Sequence, residues 1–237
     1  MSNDTHAIRH SIRDLLNALH KNFGTNIATL PSDADPVLDD IDLNSRIISE
    51  IRALLSSNFC VSDAHKRICA DILDEVFSDF SLAMYLCSIG LIVPARMSIR
   101  RAFELSLAAV YMWDLPHEYW GWREKDQDLS FSAMVSHLNS PGYIAYLAQQ
   151  RPSTTASVIC DQTNFQDIYR QLSNTVHGKV SGLPALSPER FASDKNGLEI
   201  QFRLMQKAQK LIIALLLGRF DGLEELLAKN FPQFKRV

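Results

Sequence analysis

The sequence is short of chain breakers, of metal and redox signatures, and of charge surplus. Only 9 glycines and 9 prolines punctuate 237 residues, so long segments run uninterrupted, and no strand alternation or hairpin signal breaks them. The four cysteines, Cys60, Cys69, Cys87 and Cys160, form no C-x-x-C pair and fit no zinc spacing. They read as reduced, buried thiols of a cytosolic protein. Lys and Arg number 24 against 27 Asp and Glu, a net charge of −3. That excludes a global basic field, so any nucleic acid must be held by a local patch. The longest apolar runs, "SLAMYLCSIGLIV" at 81–93 and "LIIALLLG" at 211–218, are too short to span a bilayer. The polar start "MSNDTHAIRHSIRD" does not read as a signal peptide, so a cytoplasmic location without membrane contact is expected. There is no glycine-rich phosphate loop, no G-x-S-x-G, no paired Cys/His arrangement, no internal repeat and no long heptad seam. No cofactor is expected.

What is present is helical periodicity. Hydrophobic residues at 46% and charged residues at 22% suit a globular core. Ile8, Ile12, Leu15, Leu16 and Leu19 place one apolar stripe on a first helix over 4–22, which "FGTNIATLPSDADP" at 23–36 ends with Gly, Pro and Asp. A second helix is expected over 42–57. Ser62 is the expected N-cap of a long helix reaching Gly90, and Pro94 suits the first turn of the next, 94–113. These two should fold back as an antiparallel hairpin. Residues 114–128 read as a loop or short helix, 129–138 and 142–150 as short helices, and 151–157 as a turn. Thr163 is a candidate cap for a helix over 164–177, 178–197 reads as a polar loop, and helices close the chain over 197–217 and 221–229. The expected fold class is all-α, an antiparallel helical bundle with extra N-terminal helices. Residues 1–60 form the extension and 61–237 the bundle.

Function rests mainly on "IYRQLSNTVHG" at 168–178. Seven residues separate Arg170 from His177, nearly two turns, so both point the same way, and Asn174 lies between them on that stripe. Ser173 borders it. Ile168, Leu172 and Val176 supply the buried side. A protonated histidine is favoured near a helix C-terminus, and Gly178 suits the left-handed residue that ends the helix. Cleavage of RNA by its own 2′-hydroxyl needs a proton carrier near neutral pH and a fixed positive charge on the phosphate. Imidazole and guanidinium meet those needs without a metal. The structural alternative is a histidine that caps the helix and an arginine that bridges to a carboxylate.

A helix carrying R-x(4–6)-H within an all-helical bundle resembles the HEPN superfamily, and Arg170-x6-His177 fits the upper end of that spacing. The resemblance implies a HEPN-like bundle and a metal-independent endoribonuclease of a bacterial defence or toxin–antitoxin system. Arg170 and His177 would be catalytic, with Asn174 auxiliary. RNA would be the substrate, a homodimer would compose the site, and a partner or antitoxin protein could bind it. The other reading is a non-catalytic helical module that dimerises or holds a partner protein or a nucleotide.

A second cluster lies in "ARMSIRRAFELSLAAVYMWD" at 95–114. Arg96, Arg100 and Glu104 fall at i, i+4 and i+8. They form either a surface ion-pair ladder or a substrate-binding stripe beside the 170–177 helix, with Glu104 orienting an arginine or histidine. His6 and His10 have i, i+4 spacing without H-E-x-x-H, and His20 lies on the same helix, so no metal is expected there. Trp113, Tyr119, Trp120 and Trp122 could stack on bases, seal the hairpin end or form a dimer contact. Asp71, Asp74, Glu75 and Asp79 read as a solvated face or a partner surface.

Overall fold

A computed structural model describes residues 12–29, 36–60, 63–151, 158–176 and 195–232. Those residues form ten helices and no strand: α1 Ile12–Thr29, α2 Pro36–Asn58, α3 Ala64–Ser88, α4 Ile92–Asp114, α5 Pro116–Lys125, α6 Phe131–Leu138, α7 Pro141–Gln150, α8 Gln162–Val176, α9 Lys195–Arg219 and α10 Leu223–Asn230. Among them, no helix is long and apolar enough to cross a membrane.

Several boundaries differ from the sequence-based expectation, each for a local reason. Helix α1 does not stop at Phe23 but runs through Gly24 to Thr29. A helical glycine costs about 1 kcal/mol relative to alanine. Here Asn26 donates to the Ser88 carbonyl at 2.8 Å and the Phe23 ring lies 5.7 Å from Tyr85, and these contacts hold the extra turn. Helix α2 starts at Pro36, before the expected 42, because a proline at the first helical position forfeits no bond. The N-cap of α3 is Asp63 itself, whose carboxylate accepts from the Lys66 N–H. Ser62 lies outside the described residues. Residues 116–125 are a full helix led by Pro116. Asp161, not Thr163, accepts from the Asn164 N–H at 3.1 Å, and α8 accordingly begins at Gln162.

The turn between α3 and α4 follows from one glycine. Gly90 has φ +82°, a left-handed conformation that costs glycine little. Its N–H reaches the Cys87 carbonyl at 2.9 Å, and the Leu91 N–H reaches Leu86 at 2.8 Å. These are the paired bonds that close a helix C-terminus in the Schellman motif. The chain then reverses. His65 at the start of α3 meets the Trp113 carbonyl at the end of α4, and Asp79 meets Arg101 between them.

These two helices centre the core. Leu73, Phe80, Ile99, Phe103 and Leu107 are buried, with α2 supplying Ile47, Ile48 and Ile51 and α9 supplying Met205, Ile212 and Leu215. Each such side chain contributes about 1.5–3 kcal/mol by leaving water. Helix α2 is thus a wall of the core shared with residues beyond 61. Polar ties reinforce it: Lys210 pairs with Asp40 at 2.8 Å, and Gln209 donates to Ser45 at 2.9 Å. Asp71, Asp74 and Glu75 of the acidic run on α3 face solvent, as expected, while Asp79 is buried, and all four are ion-paired. Arg52 holds Asp71 and Asp74, and Arg101 holds Glu75 and Asp79, all within 2.9 Å.

At the far end Asp114 gathers three elements. Arg219 of α9 grips both of its carboxylate oxygens, and Tyr143 and Tyr146 of α7 donate to it at 2.8 and 3.3 Å. Burial opposes the charge on Arg219, but the facing carboxylate raises its pKa above the ordinary value. Helix α9 also comes very close to the segment entering α8. A Cβ added at Gly218 would lie 2.9 Å from the Ile159 Cγ2. Trp113 and Tyr119 are buried, with Trp113 edge-on to Phe220 at 4.8 Å, so this half of the aromatic cluster seals the end of the hairpin. Trp120 and Trp122 remain exposed.

Candidate functional site

Helix α8 is positioned by its buried face. Phe165, Ile168 and Leu172 insert into the core, and Phe165 stacks on Phe103 of α4 at 4.9 Å. Tyr169, one turn on from Phe165, lies flat on Phe131 of α6, with centroids 3.8 Å apart and planes 8° apart. This aromatic stack fixes the rotation of α8 about its own axis, and hence the direction in which Arg170 leaves it.

Arg100 and Glu104 stand on the side of α4 that meets α8. The Arg100 Nε donates to Glu104 Oε1 at 2.9 Å and its Nη2 to the Tyr169 hydroxyl at 2.7 Å. The guanidinium also lies 4.8 Å from the Tyr169 ring centroid, within cation–π range. Arg96, one turn earlier, points to α9 instead, where its Nε donates to Gln201 Oε1 at 2.8 Å. Burial pulls the Arg96 pKa below its ordinary value. The α4 stripe is therefore not a simple surface ladder. It reaches both α8 and α9.

Arg170 is the exposed member. Its side chain keeps 70% of its surface, and its contact with Asp167, one turn back on the same helix, is long at 3.5 Å. Such a pair is worth at most a few tenths of a kcal/mol, so the guanidinium is available to an incoming anion. Asn174 is half-buried, and Ser173 is buried with a hydroxyl that finds no hydrogen-bond partner among the described residues. His177 and Gly178 lie outside the described residues, as do His6 and His10, while His20 is exposed on α1. No cluster of three or more His, Cys, Asp or Glu able to hold a metal occurs among the described residues.

The structure thus joins Arg100 and Glu104 to the α8 motif, sends Arg96 towards α9, and turns Arg170 outward. Two participants escaped the sequence reading. Tyr169 sits beside Arg170 in "IYRQ" and one turn after Phe165, a spacing that marks a core-facing aromatic with a polar tip. Gln201 is a buried amide on the apolar face of α9, between Leu198 and Met205. A polar residue within an apolar stripe is its only sequence signal.

No family model matches this chain, and no match to a curated protein or to a solved structure is found.

Proposed function

We propose that the protein is a HEPN-like, metal-independent endoribonuclease built on an antiparallel helical bundle, with its site on the α4–α8 face. The observation that carries this reading is the Arg100–Tyr169 contact. It holds the arginine–glutamate stripe of α4 against the helix that bears Arg170 and Asn174. On this face Arg100 is paired with Glu104 at 2.9 Å, whereas Arg170 has only a long, exposed contact with Asp167, so Arg170 is the guanidinium left for a phosphate. In the proposed reaction the 2′-oxygen attacks the adjacent phosphorus and the bond to the 5′-oxygen breaks, giving a 2′,3′-cyclic phosphate and a free 5′-hydroxyl. His177 takes the 2′-hydroxyl proton or delivers one to the leaving oxygen. Arg170 neutralises charge on the phosphoryl oxygens, and Asn174 assists. A second copy of the chain completes the site.

The purified protein, incubated with total RNA in EDTA, is expected to cleave. Arg170→Ala and His177→Ala are each expected to abolish cleavage while leaving the helical circular dichroism and the oligomeric state intact. Cleavage retained in both variants overturns the proposal.

A non-catalytic module is the second reading, favoured by a specific observation. Arg96 and Arg100 are already engaged, by Gln201 and by Glu104 with Tyr169. In that case the wild type leaves RNA intact, and the α4–α8 network serves only to hold the bundle together.

A further inference from the structure

On the opposite flank of Glu104 lies a solvent-open cavity of about 170 Å³ between α4, α5 and α6. Its floor is apolar, formed by Leu105, Met112 and Met134, and the half-exposed ring of Trp122 forms one wall. Its lip carries Arg101 and Glu104. The volume is close to that of an engineered apolar cavity of about 150 Å³ that takes benzene, so a one-ring body fits.

The two lip charges differ in what holds them. Arg101 is bracketed by Glu75 and Asp79, two carboxylates outside the cavity, and Glu104 pairs with Arg100. Arg100 binds Glu104 through Oε1, which leaves Oε2 for an arriving donor. Trp122 offers a π-face, which attracts cations and repels anions. An apolar floor, an indole wall and the second carboxylate oxygen of Glu104 together select one ligand chemistry.

We propose that this cavity binds a small organic cation, an ammonium group on a single apolar or aromatic ring. The ring enters against Met112, Met134 and Trp122, and the ammonium donates to Glu104. Because Glu104 also pairs with Arg100, an occupant of the cavity touches the carboxylate that steadies the arginine bonded to Tyr169 of α8.

The test is calorimetric and fluorimetric titration of the full chain with phenethylammonium, 2-phenylethanol and phenylacetate, three probes of one shape and different charge. The ammonium is expected to saturate and to quench tryptophan emission. The alcohol should bind at least tenfold more weakly, and the carboxylate should not bind. Glu104→Gln should reduce ammonium affinity to that of the alcohol. Trp122→Leu, at a half-exposed position, should weaken calorimetric affinity by several-fold and remove the quench. Equal affinity for ammonium and alcohol, no saturable binding, or unchanged affinity in the folded Trp122→Leu variant overturns the proposal. Because the readout is ligand affinity, it is independent of whether RNA is cleaved.

Discussion

Replacing Tyr169 by phenylalanine removes one oxygen and nothing else. The ring remains on Phe131 with its 3.8 Å stack, but the Arg100 Nη2 loses an acceptor held at 2.7 Å. A hydrogen bond to a charged group contributes about 1.5–3 kcal/mol. Arg100 keeps Glu104, and with its side chain 19% exposed it can recover some hydration. The expected loss is therefore about 1–2 kcal/mol, at the low end of that range. Tyr169→Ala also deletes the stacked, partly buried ring and should cost more, up to the about 3–5 kcal/mol of fully buried aromatic truncations. Urea denaturation followed by circular dichroism separates the two, with the dependence on denaturant unchanged in the phenylalanine variant. An Arg100→Met partner variant completes a double-mutant cycle, and a coupling energy of about 1–2 kcal/mol is expected. Zero coupling, or equal losses for the phenylalanine and alanine variants, would refute the assignment of Tyr169 as the clamp between α4 and α8.

Four further outcomes follow from the same structure. Asp114→Ala leaves Arg219 buried without its carboxylate and should cost about 3–5 kcal/mol in chemical denaturation, whereas Arg170→Ala should stay within about 0.5 kcal/mol. Ser173→Ala removes a buried, unpartnered hydroxyl and should leave stability unchanged or raise it by about 1 kcal/mol; a large loss would show that the hydroxyl is bonded. All four cysteines are buried, and burial raises the thiol pKa of Cys60 and pushes those of Cys69, Cys87 and Cys160 up to about 12. A thiol reagent at pH 8 should therefore find none in the native protein and all four in denaturant. Burial also lowers the pKa of His137 from 6.5, so the unfolded chain takes up its proton first and stability should fall as pH drops through and below 6.5. His137→Phe, which keeps a ring edge-on to Tyr111, should flatten that part of the profile.

Helix existence and type were legible from periodicity, because each long helix buries a continuous apolar stripe. Ile47, Ile48 and Ile51 on α2 and Phe103 and Leu107 on α4 were readable in this way. Boundaries were less so, because caps are decided by which carboxylate or hydroxyl faces the first free N–H. Asp63 and Asp161 each stood near a different residue that could have capped as well. The extension of α1 past Gly24 depends on Asn26 and the Ser88 carbonyl, 62 residues apart in sequence, and no local pattern announces such a bond. The pairing of Arg100 with Glu104 follows from i, i+4 spacing, but its union with Tyr169 spans 69 residues. The solvent-facing character of the acidic run on α3 was readable, but its partners Arg52 and Arg101 were not, because they sit on other helices.

Gly218 lets the Ile159 side chain, in the segment before α8, lie directly on the backbone of α9. It therefore acts as a spacer of fixed, minimal thickness. A methyl group there wedges Ile159 away, and Ile159 stands just before α8, the helix that bears Arg170. One absent methyl group on α9 thus sets how near the entry to that helix can lie, 59 residues earlier in the chain.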